Sequence, residues 1–158
     1  MYVAALFLRL ALGAAFLSAV SSRFGVWPKH MGGGSWTSFL EYTAELNPWA
    51  PSALIPFLGS AATAAEFTLG ILLVIGFRQR LAGVTGGILL LIFALSMING
   101  TGIKSPLDYS VFTASAAAFV FATIDESRWS LDSLLHGRTE NKQGFDSGLR
   151  PTEHKMVP

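Results

Sequence analysis

The sequence predicts an all-α membrane protein, a four-helix transmembrane bundle with a short interfacial helix in its first loop. Three observations carry this expectation. Hydrophobic residues make up 51% of the chain and charged residues only 13%, with a mean hydropathy of +0.49. A soluble domain carries about 25% charged residues, so the deficit is too large for a water-facing surface. Four apolar runs, residues 2–22, 54–77, 81–99 and 107–124, each approach the length a helix needs to cross a bilayer. Residues 36–46, between the first two runs, alternate with helical rather than strand period.

The length of 158 residues suits one domain, read as a transmembrane unit over 1–126 followed by a cytoplasmic tail over 127–158. A net charge of +1 provides no basic excess for nucleic acid. The absence of cysteine excludes disulfides, thiol chemistry and iron–sulfur ligation. No P-loop, HExxH, GxSxG or GxGxxG motif occurs.

The first run, residues 2–22, holds one charge, Arg9. Its rival reading is a leader cleaved after Ala19-Val20-Ser21. A retained helix is expected instead, because no Lys or Arg precedes Arg9 and Arg9 interrupts the apolar stretch. The connection that follows contains Gly32-Gly33-Gly34, Trp27, Trp36 and Trp49. Within it Trp36, Phe39, Leu40 and Thr43 share one helical face while Glu41 and Glu45 lie opposite. An aromatic face beside a bilayer places this helix in the interface. Ser38 and Glu41 have capping-box spacing and suggest a start slightly after Trp36; Asn47-Pro48 ends the helix.

The second run, residues 54–77, is 24 residues long with one ionisable side chain, Glu66, in its middle third. At 1.5 Å per residue such a helix spans about 36 Å. A carboxylate at that depth costs roughly 2.5–3.5 kcal/mol on insertion scales and therefore needs a partner, a proton or water. In the third run Gly83 and Gly87 form a GxxxG pair that lets two backbones approach closely. The fourth run is expected as one helix from Leu107 to Ile124, with Asp108 in its first turn and Ser110, Ala114, Ala118 and Ala122 as a small-residue seam. Lys104 and Asp108, four apart, are spaced to pair at the surface. Beyond Glu126, residues 129–136 read as one more amphipathic turn and 138–158 as disordered.

Lysine and arginine near the segment ends divide five to three, Arg78, Arg80, Arg128, Arg138 and Lys142 against Arg23, Lys29 and Lys104. The expected topology is both termini cytoplasmic in the cell membrane.

Arg9 and Glu66 are the charges deep in the apolar runs. If the first helix starts near Tyr2 at the level where the second ends near Phe77, the two differ in depth by about one turn and form a buried ion pair. Such a pair either fixes helix register or lines a polar cavity for a ligand. Thr63, Thr68, Thr85 and Ser96 are candidates to line that cavity. Intramembrane hydroxyls also commonly bond their own helix. His30, His136 and His154 lack metal-ligand spacing, so no metal site is expected, nor is any catalytic set.

The run Arg9-Leu10-Ala11-Leu12-Gly13, the run Glu66-Phe67-Thr68-Leu69-Gly70 with Leu72-Leu73, Gly76, Arg78 and Arg80 after it, and Ser105-Pro106-Leu107-Asp108-Tyr109 together resemble the DoxX family of small four-helix membrane proteins. The resemblance covers about residues 2–125; it departs at Ser21-Ser22-Arg23-Phe24, where family members often have Gly and then Lys. It implies a membrane component linked to quinol oxidase, thiosulfate:quinone oxidoreductase or stress-response complexes, often with no assigned activity. The function expected is a non-catalytic subunit or small-ligand-binding module of a quinone-linked redox or stress system. The alternatives are a quinone-binding subunit of an oxidoreductase and a small transporter. The expected partners are the lipid bilayer and a membrane or peripheral redox protein, with oligomerisation open.

Overall fold

A computed structural model describes residues 2–124. The tail expected over 127–158, including its amphipathic turn, lies outside the described residues. Six helices occur in the described part: α1 (Tyr2–Arg23), α2 (Trp36–Leu46), α3 (Ile55–Ile75), α4 (Gln79–Thr101), α5 (Lys104–Asp108) and α6 (Val111–Thr123). Single 3-10 turns at Lys29–Met31 and Ser52–Leu54 precede α2 and α3. No strand occurs among the described residues. Three helical spans, containing α1, α3 and α4, are long and apolar enough to cross a membrane; α6 is a shorter apolar helix.

The chain reverses from α3 to α4 in three residues. Gly76 adopts φ 70° and its amide donates to the Leu72 carbonyl at 2.9 Å, the left-handed ending that glycine accepts without a Cβ penalty. Arg78 is also left-handed, at φ 48°, so α4 starts at Gln79, two residues earlier than the hydropathy suggests. Pro56, inside the first turn of α3, forfeits no helical hydrogen bond there.

One core is shared by four helices. Leu12 and Phe16 from α1, Leu69 and Leu73 from α3, Ala82 from α4, and Ala118 and Phe121 from α6 form it, with Leu73 wholly buried. Two glycine notches set how the helices meet. A Cβ on Gly83 would lie 2.9 Å from the Ala122 Cβ and 3.0 Å from the Ala118 carbonyl oxygen, and one on Gly87 would lie 2.8 Å from the Phe119 ring. Gly83 therefore receives Ala118 and Ala122 of the expected seam, whereas Gly87 receives the Phe119 ring, and the Ser115 hydroxyl crosses the contact to donate to the Gly87 carbonyl at 2.8 Å. The second notch joins α1 to α3. A Cβ on Gly13 would lie 3.1 Å from the Gly70 carbonyl, and one on Gly70 would lie 2.8 Å from Leu17.

The fourth apolar run is not one helix. It breaks at Tyr109–Ser110, where Ser110 is left-handed at φ 55°, and Asp108 lies at the end of α5 rather than at the start of the long segment. The bend lets α5 cover the end of α4 while α6 turns Ala118 and Ala122 onto Gly83 and Phe119 onto Gly87. The Lys104–Asp108 ion pair forms within α5, on the surface.

Helix α2 spans Trp36–Leu46 and starts at Trp36, not later. Ser35 is the N-cap, in extended backbone, and its hydroxyl accepts from the Ser38 amide at 3.2 Å. The Ser38 hydroxyl returns the favour to the Ser35 amide at 2.9 Å, so the box is Ser35/Ser38 in place of Ser38/Glu41. α2 bridges the N-terminal part of α3 and the C-terminal end of α4, seated where Gly59 meets Leu40 and Phe39 and where Gly100 meets the backbone of Glu45 and Leu46.

Candidate functional site

The bridge made by α2 roofs a cavity of about 430 Å³ between α2, α3 and α4. α2 contributes Phe39, Tyr42 and Thr43, with Asn47 just beyond its end; α3 contributes Ala62 and Glu66; α4 contributes Phe93 and Ser96. Arg23, the last residue of α1, enters from the side.

Glu66 does not pair with Arg9. Its partner is Arg23, whose Nη1 meets Glu66 Oε2 in an ion pair with the two side chains 10% and 5% exposed. The reason is the register of α1 on α3. Gly13 and Gly70 are in contact; Arg9 lies four residues to one side of that notch and Glu66 four residues to the other. At 1.5 Å per residue each way, the two are separated by about 12 Å along the axes. Helical side chains also lean toward their own N-terminus, so Arg9 points away from Glu66 while Arg23 reaches back toward it. Arg9 is buried toward the other end of the pair, 4% exposed, and is engaged there in interactions of its own.

Arg23 is held on three sides. Besides Glu66, its Nη1 donates to Thr63 Oγ1 at 2.6 Å, and its Cζ lies 3.8 Å from the centroid of the Phe39 ring. Thr63 in turn donates its hydroxyl to the Gly59 carbonyl at 2.8 Å. The planar guanidinium suits this set, offering several donors in one plane and a face for an aromatic ring. The two opposite charges in close pairing desolvate together, which a lone charge does not achieve.

The rest of the lining is apolar with a few polar points. Thr43 is committed to its own helix, donating to the Phe39 carbonyl at 2.8 Å. Asn47 donates Nδ2 to the Thr43 carbonyl at 2.9 Å, which orients its side-chain oxygen as an acceptor. Tyr42 carries a phenol raised above its usual value near 10 by burial first, then by Tyr109 and Glu45, and so stays a protonated donor at neutral pH. A neutral ion pair, a phenol, an amide and the Ser96 hydroxyl around an aromatic roof can hold a small, uncharged, hydrogen-bonding ligand.

The five residues proposed alongside Arg9 therefore divide. Glu66 and Ser96 line the cavity, and Thr63 forms part of its wall through Arg23. Thr68 and Thr85 line a separate groove of about 500 Å³ between α3 and α4, with Leu89 and Ile92 between it and the cavity. Thr85 spends its hydroxyl on the Leu81 carbonyl at 2.8 Å. Sequence reasoning missed Arg23, Phe39, Tyr42 and Asn47. The signal for Arg23 was present in Gly13 and Gly70, whose small size permits the contact that sets the register. Among the described residues no group of three or more His, Cys, Asp or Glu is placed to hold a metal. Comparison with protein-family models, with curated proteins and with solved structures finds no match to this chain.

Proposed function

We propose that the protein is a non-catalytic membrane module that binds a small, uncharged ligand in the cavity roofed by α2, in a quinone-linked redox or stress-response system as the resemblance to the DoxX family implies. In this reading α1, α3 and α4 cross the cell membrane, α5 and α6 together make a fourth crossing, α2 lies at the outer interface, and both termini are cytoplasmic. The observation that carries the reading is the Arg23–Glu66 pair lining a 430 Å³ cavity. An ion pair in an apolar bundle is costly and marks a functional site by default. A benzoquinone ring fits the chemistry: its carbonyls accept from Tyr42, Ser96 or the Arg23 fork, and its face packs on Phe39 or Phe93.

The test is equilibrium binding of a tail-less benzoquinone to the purified protein in detergent. Saturable binding to the natural chain is expected, weakened at least about tenfold by Ser96→Phe, a loss of roughly 1.4 kcal/mol. Equal uptake by both proteins, or none by either, overturns the reading. The three contacts that hold Arg23 favour a second role, that of locking α1, α2 and α3 in register. That role alone is left if Arg23 and Glu66 matter to stability and the cavity takes up nothing.

A further inference from the structure

A second cavity lies on the other side of Arg23. It is a groove of about 750 Å³ on the outer face of the α1–α3 pair, lined by Val20, Phe24, Trp36, Ser60, Ala64 and Phe67 among others. Its residues differ in kind from those of the roofed cavity. The Ser21 and Ser60 hydroxyls are spent on the carbonyls of Leu17 and Pro56, both at 2.7 Å, and Thr63 is spent on Gly59. What remains exposed along the groove is aliphatic and aromatic, with Phe24 and Phe67 more than half exposed. Trp36 stacks on Phe24 at one edge, rings 6.2 Å apart and nearly parallel.

The two cavities share a thin wall. Thr63 lines the groove and accepts from Arg23, which lines the roofed cavity. Trp36 lines the groove and packs at 5.6 Å on Phe39, which lines the roofed cavity. The wall is thus one hydrogen bond and one ring contact deep. Both the last residue of α1, Arg23, and the first residue of α2, Trp36, stand in this wall, so it is made at helix ends.

Resting on the reading of the roofed cavity as a binding site, we infer that the ligand is a single-chain amphiphile that lies across this wall. Its uncharged polar head occupies the roofed cavity beside Arg23 and Glu66, and its apolar chain occupies the groove under Phe24, Trp36 and Phe67. The chain's neck passes where Arg23 meets Thr63. The division follows from the partners on each side. A head needs the donors and acceptors that the roofed cavity offers, and a chain needs a surface whose polar groups are already satisfied. The groove also faces the outside of the helix pair, so a ligand dissolved in lipid reaches the site sideways, chain last.

The experiment compares two probes, a tail-less benzoquinone and the same ring with a decyl chain, in the same detergent against three proteins: the natural chain, Ala64→Trp and Ser60→Phe. Both substitutions fill the groove from exposed positions and leave the roofed cavity untouched. The decyl probe should lose at least about tenfold in affinity in both variants, the worth of roughly two buried methylenes, while the tail-less probe binds all three proteins equally. Its binding also certifies that the variants are folded. Equal binding of the decyl probe to all three proteins overturns the assignment of the chain to the groove and leaves the head site standing. Loss of both probes in both variants overturns it too, because the groove would then not act separately. Failure of the tail-less probe to bind the natural chain removes the head site itself, and this inference with it, whereas failure of the decyl probe alone overturns the assignment of the chain to the groove.

Discussion

Arg23 shows how much one residue's position depends on its neighbour's backbone. It ends α1 and looks, in the linear sequence, like one more basic residue at a membrane surface. The Gly13–Gly70 contact slides α1 until Arg23 reaches Glu66, and Phe39 and Thr63 complete its surroundings. Removing one partner of a buried ion pair strands the other and costs roughly 3–5 kcal/mol. Glu66→Gln should therefore lower the thermal midpoint in detergent, and adding Arg23→Leu should return much of the loss. Arg9→Leu combined with Glu66→Gln should instead show additive losses, as expected of sites that share no contact. Recovery with Arg9→Leu and not with Arg23→Leu would reverse the pairing.

At the level of the element, the α4–α6 seam depends on the absence of side chains. The Cβ of any residue at position 83 meets the Ala118 carbonyl at 3.0 Å, and backbone cannot give way as a flexible side chain does. Gly83→Val should cost about 1–3 kcal/mol through overpacking. Gly86, three residues on, is a control on the same helix. Its Cβ would lie 3.5 Å from Phe16, an ordinary contact, so Gly86→Ala should be neutral or gain up to about 1 kcal/mol from helix propensity. Thermal unfolding of the two variants side by side checks the contrast, and equal losses at both positions would show that the seam is not where α4 is sensitive. The same small-residue logic was legible in the sequence, because spacing four on a helix is local. The break at Ser110 was not, since serine carries no strong preference for φ 55° and the bend is imposed by α5 and α6 both packing on α4.

For the whole molecule, the proposed topology places α2 on one side of the membrane and the α3–α4 turn on the other. The absence of cysteine makes this directly testable with single introduced thiols. Thr37→Cys on α2 should react with a membrane-impermeant thiol reagent in intact cells, and Arg80→Cys at the start of α4 should react only after permeabilisation. Both positions are exposed on the protein surface, so lack of labelling reports the membrane and not burial. The opposite pattern would invert the orientation. Labelling of both without permeabilisation would mean that α3 does not cross.

The sequence by itself determined that the chain is helical, that residues 36–46 form a helix, and that three of the four apolar runs are long and apolar enough to span. Helix rise, bilayer thickness and four-residue spacing are local properties, and they can be counted along the chain. Only the tertiary structure decided which charge meets Glu66 and which hydroxyls share its cavity. The expectation of Arg9 assumed that the start of α1 lies level with the end of α3. Their true offset comes from two glycines, 57 positions apart, that let the helices touch at one height. An offset of a few residues along an antiparallel helix pair exchanges one arginine for another, because each residue shifts depth by about 1.5 Å and an arginine reaches only toward its own N-terminus.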